Sequence, residues 1–294
     1  MDLFLQLAAT GLVVGSLYAL CALGWGLIYG TTLHFHVAHG AVFTLAAYYA
    51  YAGQKLLGLP LAAAVIVAIV AAALSGMLID RFVYQPLECR GAIRTTLFIA
   101  SLGLLTLIEN ALAIAFTPDP VRMDVGTLAD AVQLGPVFLT RLHLLSVTTA
   151  VLGYVALIAF LKRTRWGQAI RAVSSSPEMA RTVGIDLPRI HLLTYALGSA
   201  ISAPAGILIG MDVGIEPYRG TTFVLLASVA VIMGGIGSIP GALLGALFLA
   251  LLENLGVWQI PSEWQSTISF GVFLFFIVVR PRGFFGRKVQ SAEI

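Results

Sequence analysis

Long apolar runs separated by short polar breaks set the rhythm of this chain. A bilayer core of about 30 Å needs about 20 apolar residues in a helix. Runs of that kind lie at about 3–29, 34–53, 60–82, 96–116, 142–161, 191–211 and 264–280, with a longer one from 221 to 253. Gly234-Gly235-Ile236-Gly237-Ser238-Ile239-Pro240-Gly241 interrupts the long run, and a straight helix does not hold that composition. It predicts a hairpin of two shorter helices or one broken helix. The fold class expected is all-α: a polytopic integral membrane protein of about eight or nine transmembrane helices, some broken or paired as hairpins, in a single domain over residues 1–294.

One passage departs from this rhythm. Residues 162–190 are polar and basic, and apolar runs of spanning length flank them on both sides. Within the passage Trp166, Ala169, Ile170, Val173, Met179 and Val183 recur at roughly helical spacing, broken by Ser174-Ser175-Ser176-Pro177. Ser176 before Pro177 and Glu178 has the makings of an N-cap, and Gly184 of a helix-ending glycine. A basic helix-turn-helix between two spans is a surface for touching a partner. The other long connector, 117–141, holds Pro118, Pro120, Gly126, Gly135 and Pro136, which argue against a long helix. It is either a solvated connector or a short helix or docking surface.

Composition strengthens the membrane reading. Hydrophobic residues make up 59% and charged ones 11%, with a mean hydropathy of +0.95, where a soluble domain carries roughly 25% charged residues. Thirteen of the 17 lysines and arginines fall in loops on one side of the predicted spans, among them Arg81, Arg90, Arg94, six from Lys162 to Arg189, and Arg280, Arg282, Arg287 and Lys288. By the positive-inside rule that side is cytoplasmic, so the C-terminus lies inside and the N-terminus outside. The net charge of +3 resides in these topological bases and gives no reason to expect nucleic acid. None of the three lysines, Lys55, Lys162 and Lys288, follows a phosphate-cradling glycine loop, so ATP-driven work needs another subunit. Cys21 and Cys89 fall in a span and a loop and suggest no disulfide framework. No basic residue precedes Lys55, so the first run is expected to be a retained span. The tail from Arg287 to Ile294 looks like a frayed cytoplasmic end.

Several polar groups at membrane depth are candidates for a translocation path. His34-Phe35-His36-Val37-Ala38-His39-Gly40 invites a metal reading. On a helix His36 and His39 share a face while His34 is about 200° away, and no acid is near, so no metal site is assigned. The alternative is a polar lining at the start of an interrupted second span, preceded by a turn at Gly30-Thr31-Thr32, since irregular backbone at that depth needs protein or water around it. The break at Gly234, Gly235 and Gly237 has the same character, and one interruption in each half points to a substrate pathway between them. The competing reading is that these glycines only allow close helix packing, and Gly241 and Gly245 have the small-xxx-small spacing for it. Glu109-Asn110, late in the fourth span, supplies the one firmly intramembrane carboxylate, able to face the path, pair with His36 or His39, or reach outward. Trp258 and Trp264 sit where interface anchors do. No catalytic nucleophile arrangement and no cofactor motif are apparent.

The passage Thr164-Arg165-Trp166-Gly167-Gln168-Ala169-Ile170-Arg171-Ala172-Val173, followed by Ala180 and Val183-Gly184-Ile185-Asp186, resembles the cytoplasmic coupling motif of LivH/LivM-type permeases, membrane subunits of ABC importers for branched-chain amino acids. Val37-Ala38-His39-Gly40, Gly234-Gly235-Ile236-Gly237-Ser238 with Gly241 and Gly245, and Arg280-Pro281-Arg282-Gly283 agree, in the family's order. The short N-terminus is LivH-like. The resemblance implies a bacterial inner-membrane permease without catalysis of its own or a cofactor. It implies further parties: a second, LivM-like permease, two ATP-binding subunits, a periplasmic substrate-binding protein and a small-molecule substrate. Arg165, Gly167, Arg171, Ala172, Ala180, Gly184, Ile185 and Asp186 would couple to the ATPase. The chain departs from the family's usual pattern at His36-Val37 and Ala46-Ala47, which leaves urea, amides and aromatic acids open as cargo. An ion-coupled secondary transporter or channel, with Glu109 as the coupling acid, is the alternative class.

Overall fold

The computed structural model describes residues 2–280 and 283–285. Arg282, Arg287, Lys288 and the expected frayed tail lie outside the described residues, as does Pro281 of the C-terminal motif.

Helix α1 (Asp2–Thr32) is the axis of the molecule: 89% of its most apolar stretch is buried. It packs against α6 (Arg141–Arg163), α9 (Leu187–Val213), α10 (Arg219–Gly234) and α11 (Ile239–Gly256). Small residues let these backbones approach, as they do where lipid supplies no hydrophobic drive for helix association. A Cβ on Gly198 would stand 2.7 Å from Gly24 O, and one on Gly15 3.2 Å from the Cβ of Ala250. Around this centre stand α2 (His39–Lys55), α3 (Leu61–Ile79), α5 (Arg94–Ala115) and α12 (Gln265–Val279). α3, α5 and α6 bury only 28%, 28% and 22% of their apolar windows. They present Ile66, Val70, Leu107, Ile114, Val151 and Val155 outward. A face that apolar is an aggregation liability in water and the ordinary state in lipid.

Six helices are long and apolar enough to cross a membrane, and α10 and α12 are shorter apolar helices. The long run from 221 to 253 is a hairpin, α10 turning into α11 at Gly235–Ser238. Gly234 faces Gly241 O so closely that a Cβ on either would collide with the other's backbone, and Gly245 meets Ala230 O in the same way. The packing function expected of the small-xxx-small pair is therefore present, and Gly235 and Gly237 form the turn itself. The residues following α12 close that turn: Phe284 N donates to Met233 O at 2.8 Å and Phe285 N to Gly234 O at 3.0 Å.

Two details differ from expectation. Gly30-Thr31-Thr32 is not a turn but the last turn of α1, because the Thr31 and Thr32 hydroxyls bond back to Leu27 O and Ile28 O at 2.8 and 2.9 Å. The chain breaks instead at Leu33, whose φ of 57° is left-handed, and stays irregular to Ala38. Secondly, the 117–141 connector is not purely helix or coil. It holds a 3-10 turn, Gly126–Ala129, and an antiparallel pair, β1 (Ala131–Leu134) with β2 (Val137–Thr140), turning at Gly135.

Polar ends of the helices sort into two groups. At one end the β-pair meets Gln6, Gln54 meets Asp124, and Val121 bridges Ile215. At the other, Ser174 Oγ donates to Gly30 O at 2.6 Å and the glycine turn of the hairpin sits beside Gly30. Thus the basic passage, the end of α1 and the hairpin turn share one end of the bundle.

Candidate functional site

The basic passage folds as expected into two short helices, α7 (Arg165–Ser175) and α8 (Pro177–Thr182). Thr164 joins α6 to α7: its hydroxyl donates to Phe160 O at 2.8 Å and accepts from Gly167 N at 2.9 Å. Gly167 lies so near the end of α6 that a Cβ would collide with the Phe160 carbonyl and the Leu161 backbone. Ser176 caps α8 by accepting from Met179 N at 3.3 Å. Gly184, at φ +85° with open space around it, is needed for its backbone angle rather than its size. Asp186 caps α9, accepting from Arg189 N and pairing with Arg189 Nε at 2.9 Å.

These two helices are amphipathic in a telling way. Ile170, Val173 and Ala180 are buried against the bundle, with Ala172 and Ile185 half-buried beside them. Arg165, Arg171 and Arg181 are exposed. So are three large apolar side chains, Trp166 at 55%, Met179 at 66% and Val183 at 73%. Of the expected coupling residues, then, Arg165, Arg171, Gly184 and Asp186 lie on the surface, while Gly167 and Ala180 hold the segment onto its support.

The irregular stretch between α1 and α2 runs through the interior. Trp25 Nε1 donates to His36 O at 3.1 Å, and Ala38 N to Ser101 Oγ at 2.8 Å. His36 Nδ1 meets Tyr84 OH at 2.8 Å, and His34 Nδ1 meets Tyr195 OH at 3.2 Å. His36 and His39 are fully buried, and His36 Nε2, both His39 ring nitrogens and Ser199 Oγ have no partner. The sequence places this interruption at the start of the second span, yet α2 starts only at His39, so helical-face geometry does not relate His36 to His39. Gly40 packs against the backbone of Gly220 on α10. Among the described residues no three His, Cys, Asp or Glu side chains are grouped to hold a metal ion.

Glu109 is buried on α5 and accepts from Thr221 Oγ1 at 2.6 Å, which ties α5 to α10; this bond, rather than one to His36 or His39, occupies it. Its neighbour Asn110 is exposed, with Nδ2 on Thr106 O and Oδ1 near Tyr218 OH. Gly234, Gly235 and Gly237 lie at the opposite end of α10 from the Thr221 contact.

Glu109 is not the only carboxylate inside the bundle, and this corrects the sequence expectation. Asp80 has 0% exposure and Glu253 is buried with Tyr18 OH donating to it at 3.1 Å. Asp80 opens a π-helical turn, Asp80–Tyr84, between α3 and the short helix α4 (Gln85–Cys89). Such turns are rare and concentrate at functional sites. Gln85 Nε2 donates to Asp80 Oδ2 at 2.8 Å and to Pro188 O at 3.2 Å, linking this turn to the first turn of α9. The sequence does hold the ingredients: an acid at the end of an apolar run, five residues before a glutamine.

Residues 7–277 match the family described as branched-chain amino acid transport system, permease component. The chain belongs to that family. It is 31% identical over 299 residues to the high-affinity branched-chain amino acid transport system permease protein BraD of Pseudomonas aeruginosa, covering 97% of this chain and 96% of the relative. It is 30% identical over 298 residues to LivH of Escherichia coli strain K12, with the same coverage. Among solved structures it is similar to PsaBC from Streptococcus pneumoniae in complex with Fab, at a TM-score of 0.47 and 14% identity, covering 96% of this chain and 91% of the other. This branched-chain permease family member is thus a multi-pass membrane transport component and not an enzyme in its own right. The resemblance carried by the basic passage and the glycine hairpin holds across nearly the whole chain.

Proposed function

We propose that this chain forms half of the translocation pathway of a binding-protein-dependent ABC importer in a bacterial inner membrane, with branched-chain or related amino acids as cargo. A second permease, LivM-like, would supply the other half, two ATP-binding subunits the energy, and a periplasmic protein the substrate. The observation that carries this reading is the surface of α7 and α8, where exposed arginines alternate with exposed Trp166, Met179 and Val183 over a buried Ile170–Val173–Ala180 base. Short helices of that kind dock into grooves through apolar anchors, with charges setting the partner. α2, α10 and α12 are taken to complete nine spans, with the N-terminus outside and residues 162–190 in the cytoplasm, in keeping with the positive-inside rule. Residues 117–141, with their strand pair, would then face the binding protein. His36, His39, Gly40, Glu109, Asn110, Gly234, Gly235 and Gly237 are proposed to border the path in at least one state of the cycle.

Co-purification from native membranes in mild detergent tests the assembly. A stoichiometric ATP-binding subunit, lost when Arg165, Arg171 and Trp166 are replaced together, is expected. A homo-oligomer that takes up substrate on an ion gradient alone would establish the secondary-transporter alternative instead. Labelled leucine uptake competed by urea, amides and aromatic acids then ranks the cargo.

A further inference from the structure

A polar pocket of about 290 Å³ opens between α4, α5, α8 and α9, at the end of the bundle that carries the coupling helices. One water needs only about 10–15 Å³ by such a measure, so there is room for a polyatomic group. His34, Glu88, Arg94, Arg181 and His191 face it, with Pro188 and apolar neighbours completing the wall. Glu88 is the one acid there, and its carboxylate is held by His34 Nε2 at 2.9 Å while His34 Nδ1 meets Tyr195 OH. Among the described residues the arginine pairings are those of Arg81 with Gln85, Arg141 with Asp130, Arg189 with Asp186 and Arg219 with Glu216. Arg94 and Arg181 make none. Two guanidiniums from different helices, with His191 in the same wall, therefore line the same space as a carboxylate already engaged.

We propose that this pocket binds a phosphate-bearing anion. Guanidinium forks match phosphate oxygens two at a time, and basic pockets between transmembrane helices at the membrane surface hold anionic headgroups. Arg94 opens α5, a peripheral helix that packs chiefly on α2, and Arg181 belongs to α8. A bound phosphate fastens the outer helix to the coupling segment, a link that no protein bond among the described residues makes.

The test uses the purified full-length transporter in a phosphate-free detergent, with thermal unfolding as the readout and two probes, short-chain phosphatidylglycerol and inorganic phosphate. A rise in Tm with phosphatidylglycerol alone assigns the site to a lipid headgroup; a rise with inorganic phosphate assigns it to a free anion. Arg94→Gln and Arg181→Gln each raise the half-saturating concentration about fivefold, and Glu88→Gln lowers it. No shift with either probe, or an unchanged response in the variant carrying both arginine replacements, overturns the proposal. Both arginines are exposed, so neither replacement disturbs the buried bundle.

Discussion

Replacing Gly167 with alanine probes how the coupling helices are mounted. A Cβ there would lie 2.5 Å from Leu161 Cα and 2.8 Å from Leu161 O, and nearer still to Phe160 O. Carbon atoms settle at about 3.5–4.0 Å, so the first turn of α7 must retreat by about 1 Å, and the obstacles are backbone atoms that cannot swing aside. The retreat also breaks the Thr164 cap, whose bonds to Gly167 N and Phe160 O are 2.9 and 2.8 Å long. Overpacking costs about 1–3 kcal/mol and a lost N-cap about 1 kcal/mol, so α7 loses roughly 2–4 kcal/mol locally. At a factor of ten per 1.4 kcal/mol, amides within α7 should exchange with solvent about 30- to 1000-fold faster. Hydrogen exchange on the reconstituted transporter reads this directly, with ATP-driven uptake measured on the same sample. Gly184→Ala is the comparison: it meets no atom within 4 Å and adds only left-handed strain at φ +85°, about 1–2 kcal/mol. Asparagine at 184, which tolerates that region, should restore most of it. Unchanged α7 protection and unchanged uptake in Gly167→Ala would refute the account of the mounting.

Three further outcomes are expected. Arg171→Ala, correctly inserted, should lose about 10- to 100-fold of ATP-driven uptake, the worth of one charge-assisted bond at a docked surface; full uptake would remove Arg171 from the coupling contact. Cysteines placed at His39 and Glu109, both buried in this conformation, should react with a permeant thiol reagent in at least one nucleotide state, and silence in every state would take them off the path. Thr221→Val strips Glu109 of its donor and should destabilise the chain by about 1–3 kcal/mol, seen as a lower Tm that Thr221→Ser restores; an identical Tm for the valine variant would show that the α5–α10 tie contributes nothing.

Local chemistry was the legible part of this sequence. Ser176 with Pro177, Gly184 and the Gly234–Gly241 run each announce a boundary through nearest-neighbour effects, and each boundary stands where those residues put it. Most helix positions followed from apolar length, although α2 begins at His39 rather than at residue 34. What escaped depends on the folded surroundings rather than on residue type. Thr31 and Thr32 look like turn residues, but both are buried and their hydroxyls bond within the helix. Asp80 near the end of the 60–82 run does not stand out until Gln85 is seen to bridge it to Pro188 O. His36 and His39 share a face only on an unbroken helix, and the chain is irregular from the left-handed Leu33 to Ala38. The short strands at 131–134 and 137–140 are too few and too brief to stand out from a proline- and glycine-rich connector.

The amides of Phe284 and Phe285 reach the carbonyls of Met233 and Gly234, which are among those a helix leaves open at its C-terminus. These partners are separated by about fifty residues of chain, and a ribosome adds about 5–20 residues per second. A newly inserted hairpin therefore waits roughly 3–10 s before its turn is sealed. During that interval the tip of the α10–α11 hairpin lacks these two bonds, so this end of the molecule is completed only when the segment after α12 arrives. Any subunit that recognises the finished turn can join only after synthesis has passed that point.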